Sequence, residues 1–305
     1  MLTNLLSLYI TSVIGDNTTS AFNLRKDPSP SIVKTASANL SDIEESKFIH
    51  LKNPEFLAPI INSTSSLAMD LKTGVILFED NSHDRLQIAS LTKLMTATII
   101  IEENNVDEIV TVSKTATQET GSTMYLVPEE TITVQNLLYG LIVHSSNDAA
   151  LALAEHNAGT VDSFVEKMNK KALALGLLNT HFSNPIGLDN KNNYSSAYDL
   201  AKLSQYVYQK KLIKEIAATS KIKVTSSDDK YTHNLESTNE LLGTDFIKFK
   251  GLKTGTTDQA GLCIISVAEN ENGNEILTVL LHSPDRFRET KILADWVFRA
   301  YNWQR

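Results

Sequence analysis

The stretch SLTKLMTATIIIEE, residues 90–103, sets the tightest limit on what this chain can fold into. Its spacing predicts a helix beginning near Ala89. The apolar residues cover the whole circumference rather than one stripe, so the rest of the chain has to enclose it. Ser90 and Lys93 fall in its first turn, three residues apart and therefore on one face. A lysine buried there loses solvation, which lowers its pKa toward a range where the neutral amine accepts a proton. The plainer reading is a helix N-terminus whose lysine snorkels to water, and an isolated Ser-x-x-Lys supports no more than that.

The flanking segments supply the enclosure. Ser65–Asp70 and Val75–Phe78 are short apolar runs around Leu71-Lys72-Thr73-Gly74, the pattern of a β-hairpin. Periodicity predicts helices at about 133–143, 148–157, 161–175 and 196–208, the last opened by a capping box of Ser196 and Asp199. Beyond Lys221 the period shortens. Residues 246–254, 262–268 and 276–282 read as strands, the last two joined by a hairpin over 270–274, and 285–301 reads as a closing amphipathic helix. Strands at both ends with helices between them predict an α/β (α+β) domain over residues 58–305. It is one antiparallel sheet of about five strands flanked by helices, with a helical subdomain inserted at about 102–220. Residues 1–57 are rich in Ser, Thr, Asn and Pro and read as a tether with at most a short helix near 41–49. Their opening, MLTNLLSLYITSVIG, has no Lys or Arg before Arg25, which makes it a weak anchor or the remnant of an export signal rather than a complete one.

Composition excludes several classes of partner. A net charge of -8 with no basic stripe argues against nucleic acid, whose phosphates need a cationic surface. The single cysteine, Cys263, rules out an intrachain disulfide and sits in an apolar run, where a buried hydrophobe is expected. No Cys/His cluster or H-E-x-x-H helix suggests a metal, and no cofactor is expected. No run reaches the roughly 18 apolar residues of a spanning helix, so membrane contact is expected only through the N-terminus.

Three loose patterns remain. Ser-x-x-Lys begins at Ser31, Ser90, Ser220 and Ser227, and only the Ser90 copy opens a buried helix, whose N-terminus adds positive potential and free N–H groups. Ser-x-Asn begins at Ser37, Ser145 and Ser237. Only Ser145 with Asn147 falls at a polar break between two apolar helices, although a turn with Asp148 capping the next helix accounts for that break equally well. Lys-Thr-Gly occurs in the hairpin turn at residues 72–74 and again as Lys253-Thr254-Gly255, where it ends a strand. A small residue at Gly255 lets a substrate backbone lie against that strand edge.

In this order and in these settings the three patterns form a specific signature. Together with GSTMYLVPEETITVQNLLYGLIVHSSNDAA, THFSNPIGLD, YSSAYDLA and GLKTGTTDQAG, they make residues from about 59 to 301 resemble the serine D-alanyl-D-alanine carboxypeptidases, low-molecular-mass penicillin-binding proteins of the DD-peptidase/β-lactamase fold. The resemblance implies a serine DD-peptidase acting on peptidoglycan stem peptides outside the cytoplasmic membrane, in the periplasm or cell envelope, and inhibited covalently by β-lactams. It implies Ser90 as nucleophile, Lys93 as its base, Ser145 and Lys253 as the route of a proton to the leaving amine, and Asn147 as a ligand of the substrate amide. It also implies an oxyanion site at the N–H groups of Ser90 and Thr256. Thr254 and an arginine are implied for the substrate carboxylate, with Arg286 best placed and Arg288 as the fallback.

A β-rich domain and an amphipathic helix often follow in such enzymes; with the sequence stopping at Arg305, the expectation is either a shorter form, such as the related cross-bridge endopeptidases, or attachment through the N-terminal tether. A class A β-lactamase needs a deacylating glutamate, and none lies between Lys167 and Lys214. Slow deacylation with trapping by penicillin is therefore expected. An idle peptidoglycan-binding relative would carry a damaged signature, and here it is intact. A Ser-His-Asp hydrolase lacks support, since there is no G-x-S-x-G and His144 reads as structural.

Overall fold

The computed structural model describes residues 51–244 and 247–303. The helix expected near 41–49, like residues 1–50 as a whole, lies outside them. Five strands form the main sheet: β1 (Ser65–Asp70), β2 (Ile76–Asp80), β3 (Lys248–Thr257), β4 (Gly261–Glu269) and β5 (Glu275–Ser283). Their order is β3-β4-β5-β1-β2, with every neighbouring pair antiparallel. The strands from the two ends of the chain thus meet at the β5–β1 ladder, as the pattern of hydrophobic runs predicts.

Both faces of this sheet are covered, which is why LCIISVA reads as one apolar run rather than an alternation. Leu67, Cys263, Ile265, Leu277 and Val279 face the large helical core. Ala68, Ile264, Ile276 and Leu280 face the last helix, α7 (Arg286–Ala300), through Leu293, Trp296 and Val297. Burial raises the Cys263 thiol pKa to about 11, so it behaves as the expected structural hydrophobe.

Between β2 and β3 lie α1 (Lys93–Glu103), α2 (Val134–Ile142), α3 (Asn147–Ala158), α4 (Val161–Ala174), α5 (Ala197–Tyr208) and α6 (Lys211–Ala217). Helix α1 is enclosed as its sequence requires: every residue from Lys93 to Ile100 is buried. Leu94, Met95, Ile99 and Ile100 each contribute about 1.5–3 kcal/mol of transfer free energy there.

The inserted region is helical, as expected, and also carries a short ribbon in which Ile109–Thr111 pairs with Thr131–Thr133; just beyond it, Lys221–Thr225 pairs with Thr232–Glu236. Several finer expectations need correction. Folded structure begins before residue 58, since Leu51–Lys52 pairs with Tyr301–Asn302 and Phe56 packs against the core under α7. The capping box is half formed. Ser196 accepts from Asp199 N, but the Asp199 carboxylate goes to Asn179 N and Thr180 Oγ1, anchoring a distant loop instead. Lys253-Thr254-Gly255 does not end its strand but sits inside β3, opposite Ile265, Ile264 and Cys263. The first LKTG is the predicted hairpin turn, closed by Gly74 N donating to Asp70 O at 2.9 Å.

Candidate active site

Ser90 lies in a 3-10 turn, Ala89–Thr92, that runs directly into α1. The turn is entered through Ala89 at φ +48°, a left-handed conformation that costs on the order of 1–3 kcal/mol when a Cβ is present. Two glycines fit around it. A Cβ on Gly187 would stand 2.0 Å from the Ala89 carbonyl oxygen, and one on Gly255 would stand 2.9 Å from Ser90 N. The turn is therefore clamped between the loop at 184–188 and strand β3.

Lys93 is completely buried one helical turn below. Its Nζ donates to Ser90 Oγ at 2.9 Å, Asn147 Oδ1 at 2.8 Å and Ile186 O at 2.7 Å. All three acceptors are neutral. Burial lowers its pKa to about 7, against an upward pull from Asp148 and Glu119. A buried lysine in this state exchanges its proton near neutral pH, with a serine hydroxyl in hydrogen-bond contact.

The surrounding backbone holds these atoms in place. Asn184 Oδ1 accepts from the N–H groups of Ile186, Gly187 and Leu188, a side-chain-closed turn that aims the Ile186 carbonyl at Lys93. Asn147 opens α3, with its Nδ2 donating to Thr120 O and its backbone N to Ser122 O, both at 2.7 Å. The next residue, Asp148, accepts from Met124 N at 3.1 Å and Leu126 N at 3.0 Å. Its carboxylate thus serves a loop rather than simply capping the helix. Ser145 is buried two residues before Asn147, at φ +63° in the connection between α2 and α3.

On the opposite wall, Lys253 is buried in β3 and its Nζ donates to Thr254 O at 2.8 Å. Burial, then the charges of Lys93 and Arg286, hold its pKa well below the ordinary lysine range. Thr254 Oγ1 lies 2.5 Å from Thr238 Oγ1. Of the two candidate arginines, Arg286 is the one that reaches this strand: its Nη1 donates to Gly255 O at 2.8 Å and Thr256 Oγ1 at 2.6 Å. Arg288 is exposed. His144 contacts Glu236 O at 3.2 Å through Nδ1, a link between backbone elements.

The structure also brings in groups that the sequence patterns did not single out, the carbonyls of Ile186 and Thr120 and the Gly187 contact, and it turns the Asp148 carboxylate, expected only as a helix cap, toward the N–H groups of Met124 and Leu126. Asn184-Pro185-Ile186-Gly187 carries the signal of a turn. Nothing local says that its carbonyl meets a lysine 93 residues earlier.

A serine hydroxyl bonded to a buried lysine amine, beside a strand that carries a second buried lysine and is held by an arginine from α7, has the groups that serine acyl transfer through lysine rather than histidine requires. The comparisons agree with this class. A family model described as D-alanyl-D-alanine carboxypeptidase matches residues 52–284, and the chain belongs to that family. It is 36% identical over 248 residues, 78% of this chain and 62% of the relative, to D-alanyl-D-alanine carboxypeptidase DacF of Bacillus subtilis. It is 34% identical to DacC of Escherichia coli over 80% of this chain and 63% of the relative. The match therefore spans less than two thirds of these relatives' length. Among solved structures, the DD-transpeptidase of Streptomyces K15 superposes with a TM-score of 0.73 at 29% identity, covering 80% of this chain and 99% of that one. Penicillin-binding protein 6B of Escherichia coli gives 0.72 at 33% identity over 81% of each chain.

Proposed function

We propose that this protein is a serine DD-peptidase that removes the terminal D-alanine from peptidoglycan stem peptides through an acyl-enzyme on Ser90. The observation that carries the reading is the 2.9 Å contact between Ser90 Oγ and a wholly buried Lys93 whose pKa stands near 7.

In this mechanism the neutral Lys93 amine takes the Ser90 proton as Oγ attacks the carbonyl of the penultimate D-alanine. The backbone N–H groups of Ser90 and Thr256 receive the oxyanion, each such donor being worth about 3 kcal/mol. The C–N bond then breaks, and the departing amine takes a proton through Ser145 and Lys253. Water, deprotonated as it attacks, releases the shortened peptide and returns the proton to Ser90. Asn147 holds the substrate amide, and Thr254 with Arg286 receives the terminal carboxylate. Penicillin enters the same acylation step and is released slowly. The substrate places the enzyme outside the cytoplasmic membrane, with the segment ahead of the folded unit serving as its tether. Among the described residues no helix is long and apolar enough to cross a membrane.

Mass spectrometry of muropeptides incubated with the protein tests the reading, alongside Ser90→Ala and penicillin-blocked controls. Loss of one D-alanine from pentapeptides, absent in both controls, supports it. Conversion of cross-linked dimers to monomers replaces it with an endopeptidase, and no change in either substrate overturns it.

A further inference from the structure

Beside the Ser145 connection lies a groove of about 420 Å³ that the acyl-transfer mechanism does not use. Thr123 and Tyr125 of the 120–126 loop form one wall, and Tyr231, Thr232 and Asn234 of the ribbon at 221–236 form the other. His144, the residue before Ser145, also lines it, and Ser122, next to the wall residue Thr123, donates to His144 O at 2.6 Å and accepts from Asn147 N at 2.7 Å, so the loop that forms one wall is bonded to the connection carrying Ser145 and Asn147.

Tyr125 stands out on this wall. It is 82% exposed, although a ring of that size is normally packed against something. It also sits at φ +62°, in the left-handed region that a bulky residue rarely occupies. The conformation is held in place, because the Asp148 carboxylate takes the N–H of the residue on each side, Met124 and Leu126. The loop thus presents the ring to solvent on a rigid mount. Facing it, Thr232 and Asn234 occupy the outward positions of a strand that alternates exposed and buried residues. Among the described residues, the side-chain polar groups of Thr123, Tyr125, Tyr231, Thr232 and Asn234 hold no hydrogen bond within the protein.

The chemistry of these walls selects among the parts of a muropeptide. No lysine, arginine, aspartate or glutamate lines the groove. The buried His233 is occupied by Met124 O and Glu130. A stem peptide's free carboxylates and amines would find no counter-charge here. A neutral, polyhydroxylated ring fits: its C–H face lies on an aromatic face, while hydroxyl and N-acetyl groups reach amide and hydroxyl partners.

We propose that this groove binds a sugar ring of the glycan strand, an N-acylated amino sugar, with Tyr125 as its platform. The inference rests on the peptidoglycan reading of the active site. It makes the enzyme select stem peptides still attached to glycan.

The test compares kcat/KM for a disaccharide-pentapeptide with that for the same pentapeptide without sugar. Wild-type protein is expected to favour the sugar-bearing substrate by about tenfold, the worth of one well-packed aromatic contact. In Tyr125→Ala the ratio falls to about one, whereas Tyr125→Phe retains it. A wild-type ratio of one overturns the proposal. So does a Tyr125→Ala variant that slows both substrates equally, which would mark a peptide contact or a collapsed loop. Titration of the peptide-free disaccharide into Ser90→Ala protein, read by NMR of the tyrosine rings, separates the two readings. Perturbed Tyr125 and Tyr231 signals, with no turnover of any muropeptide by the wild-type protein, sustain the groove and sink the DD-peptidase. Turnover without perturbation does the reverse.

Discussion

A Cβ placed on Gly255 would stand 2.9 Å from the backbone nitrogen of Ser90, with Ala89 Cβ at 3.0 Å and Ile88 O at 3.1 Å. The obstructing atoms belong to the backbone and first side-chain carbon of the nucleophile turn, which cannot swing aside. Gly255→Ala must therefore push β3 away from Ser90 and part the two N–H groups assigned to the oxyanion. Acylation by a fluorescent penicillin is expected to slow by about 10²-fold, the worth of one such donor. A rate within threefold of wild type would show that the strand and the turn are not held to each other as tightly as the contact requires.

The state of Lys93 predicts a pH profile. Its pKa is lowered to about 7, so the amine is mostly protonated below that value and mostly neutral above it. The rate of acylation should rise about tenfold per pH unit up to neutrality and then level off, since only the neutral form accepts the Ser90 proton. Lys93→Arg, whose guanidinium stays charged throughout, should abolish acylation at every pH. A flat wild-type profile between pH 5 and 9 would remove Lys93 from the role of base.

Asn147 gives that profile a handle. Its Oδ1 accepts from Lys93 Nζ at 2.8 Å without bringing charge into the site. Asn147→Asp puts a carboxylate at the same distance, which favours the ammonium. The midpoint of the acylation profile should move well above 7, leaving the variant slow at neutral pH and partly recovered at pH 9. An unmoved midpoint with a uniformly lower rate would mean that Asn147 acts on the ligand alone.

How much of this was legible in the sequence follows from the range of the interactions. The enclosure of α1 and the i, i+3 meeting of Ser90 with Lys93 are local consequences of residue order, and both could be read directly. The sheet order was legible in outline because its strands are short apolar runs at the two ends of the chain. The half-made capping box was not, since the Asp199 carboxylate is claimed by Asn179 and Thr180, and no local rule ranks those partners. The Ile186 carbonyl was invisible for the same reason. Its turn can be predicted from Asn184 and Pro185, but its meeting with Lys93 depends on how the loop packs.

Arg286 is fixed by Gly255 O at 2.8 Å and Thr256 Oγ1 at 2.6 Å, at the end of β3 where a substrate's terminal carboxylate is assigned. Arg286→Gln removes the charge and keeps a donor. The loss should fall on KM for D-alanyl peptides, by about 10–10²-fold, with kcat less affected. Arg288→Gln, on the exposed side of the same helix, should change neither. Equal losses in the two variants would indicate disruption of α7 instead of a carboxylate contact.

The last prediction concerns stability. His233 is buried, with Nδ1 2.8 Å from Met124 O and Nε2 2.7 Å from Glu130 Oε1, two acceptors that between them call for an imidazolium donating from both nitrogens. Burial alone lowers its pKa, but the bond and charge of Glu130, the Met124 carbonyl and the more distant Asp148 together raise it above the ordinary 6.5. A histidine whose pKa is higher folded than unfolded binds more protons in the native state. Its stabilisation is complete below 6.5 and fades as pH rises through the raised value. Glu130→Gln keeps a neutral acceptor and removes the charge, so it should cost about 2 kcal/mol in acid, or about 4–8 °C in melting temperature, and progressively less above neutrality. Thermal melts of both proteins from pH 5 to 9 decide the matter. A difference that does not change with pH means that His233 is neutral in the fold and that Glu130 anchors the ribbon by shape alone. A difference that narrows toward alkaline pH means that a buried charge pair ties the ribbon to the loop carrying Tyr125. Both walls of the groove would then loosen at high pH, while Lys93 and Ser90, held from α1 and α3, keep their contact.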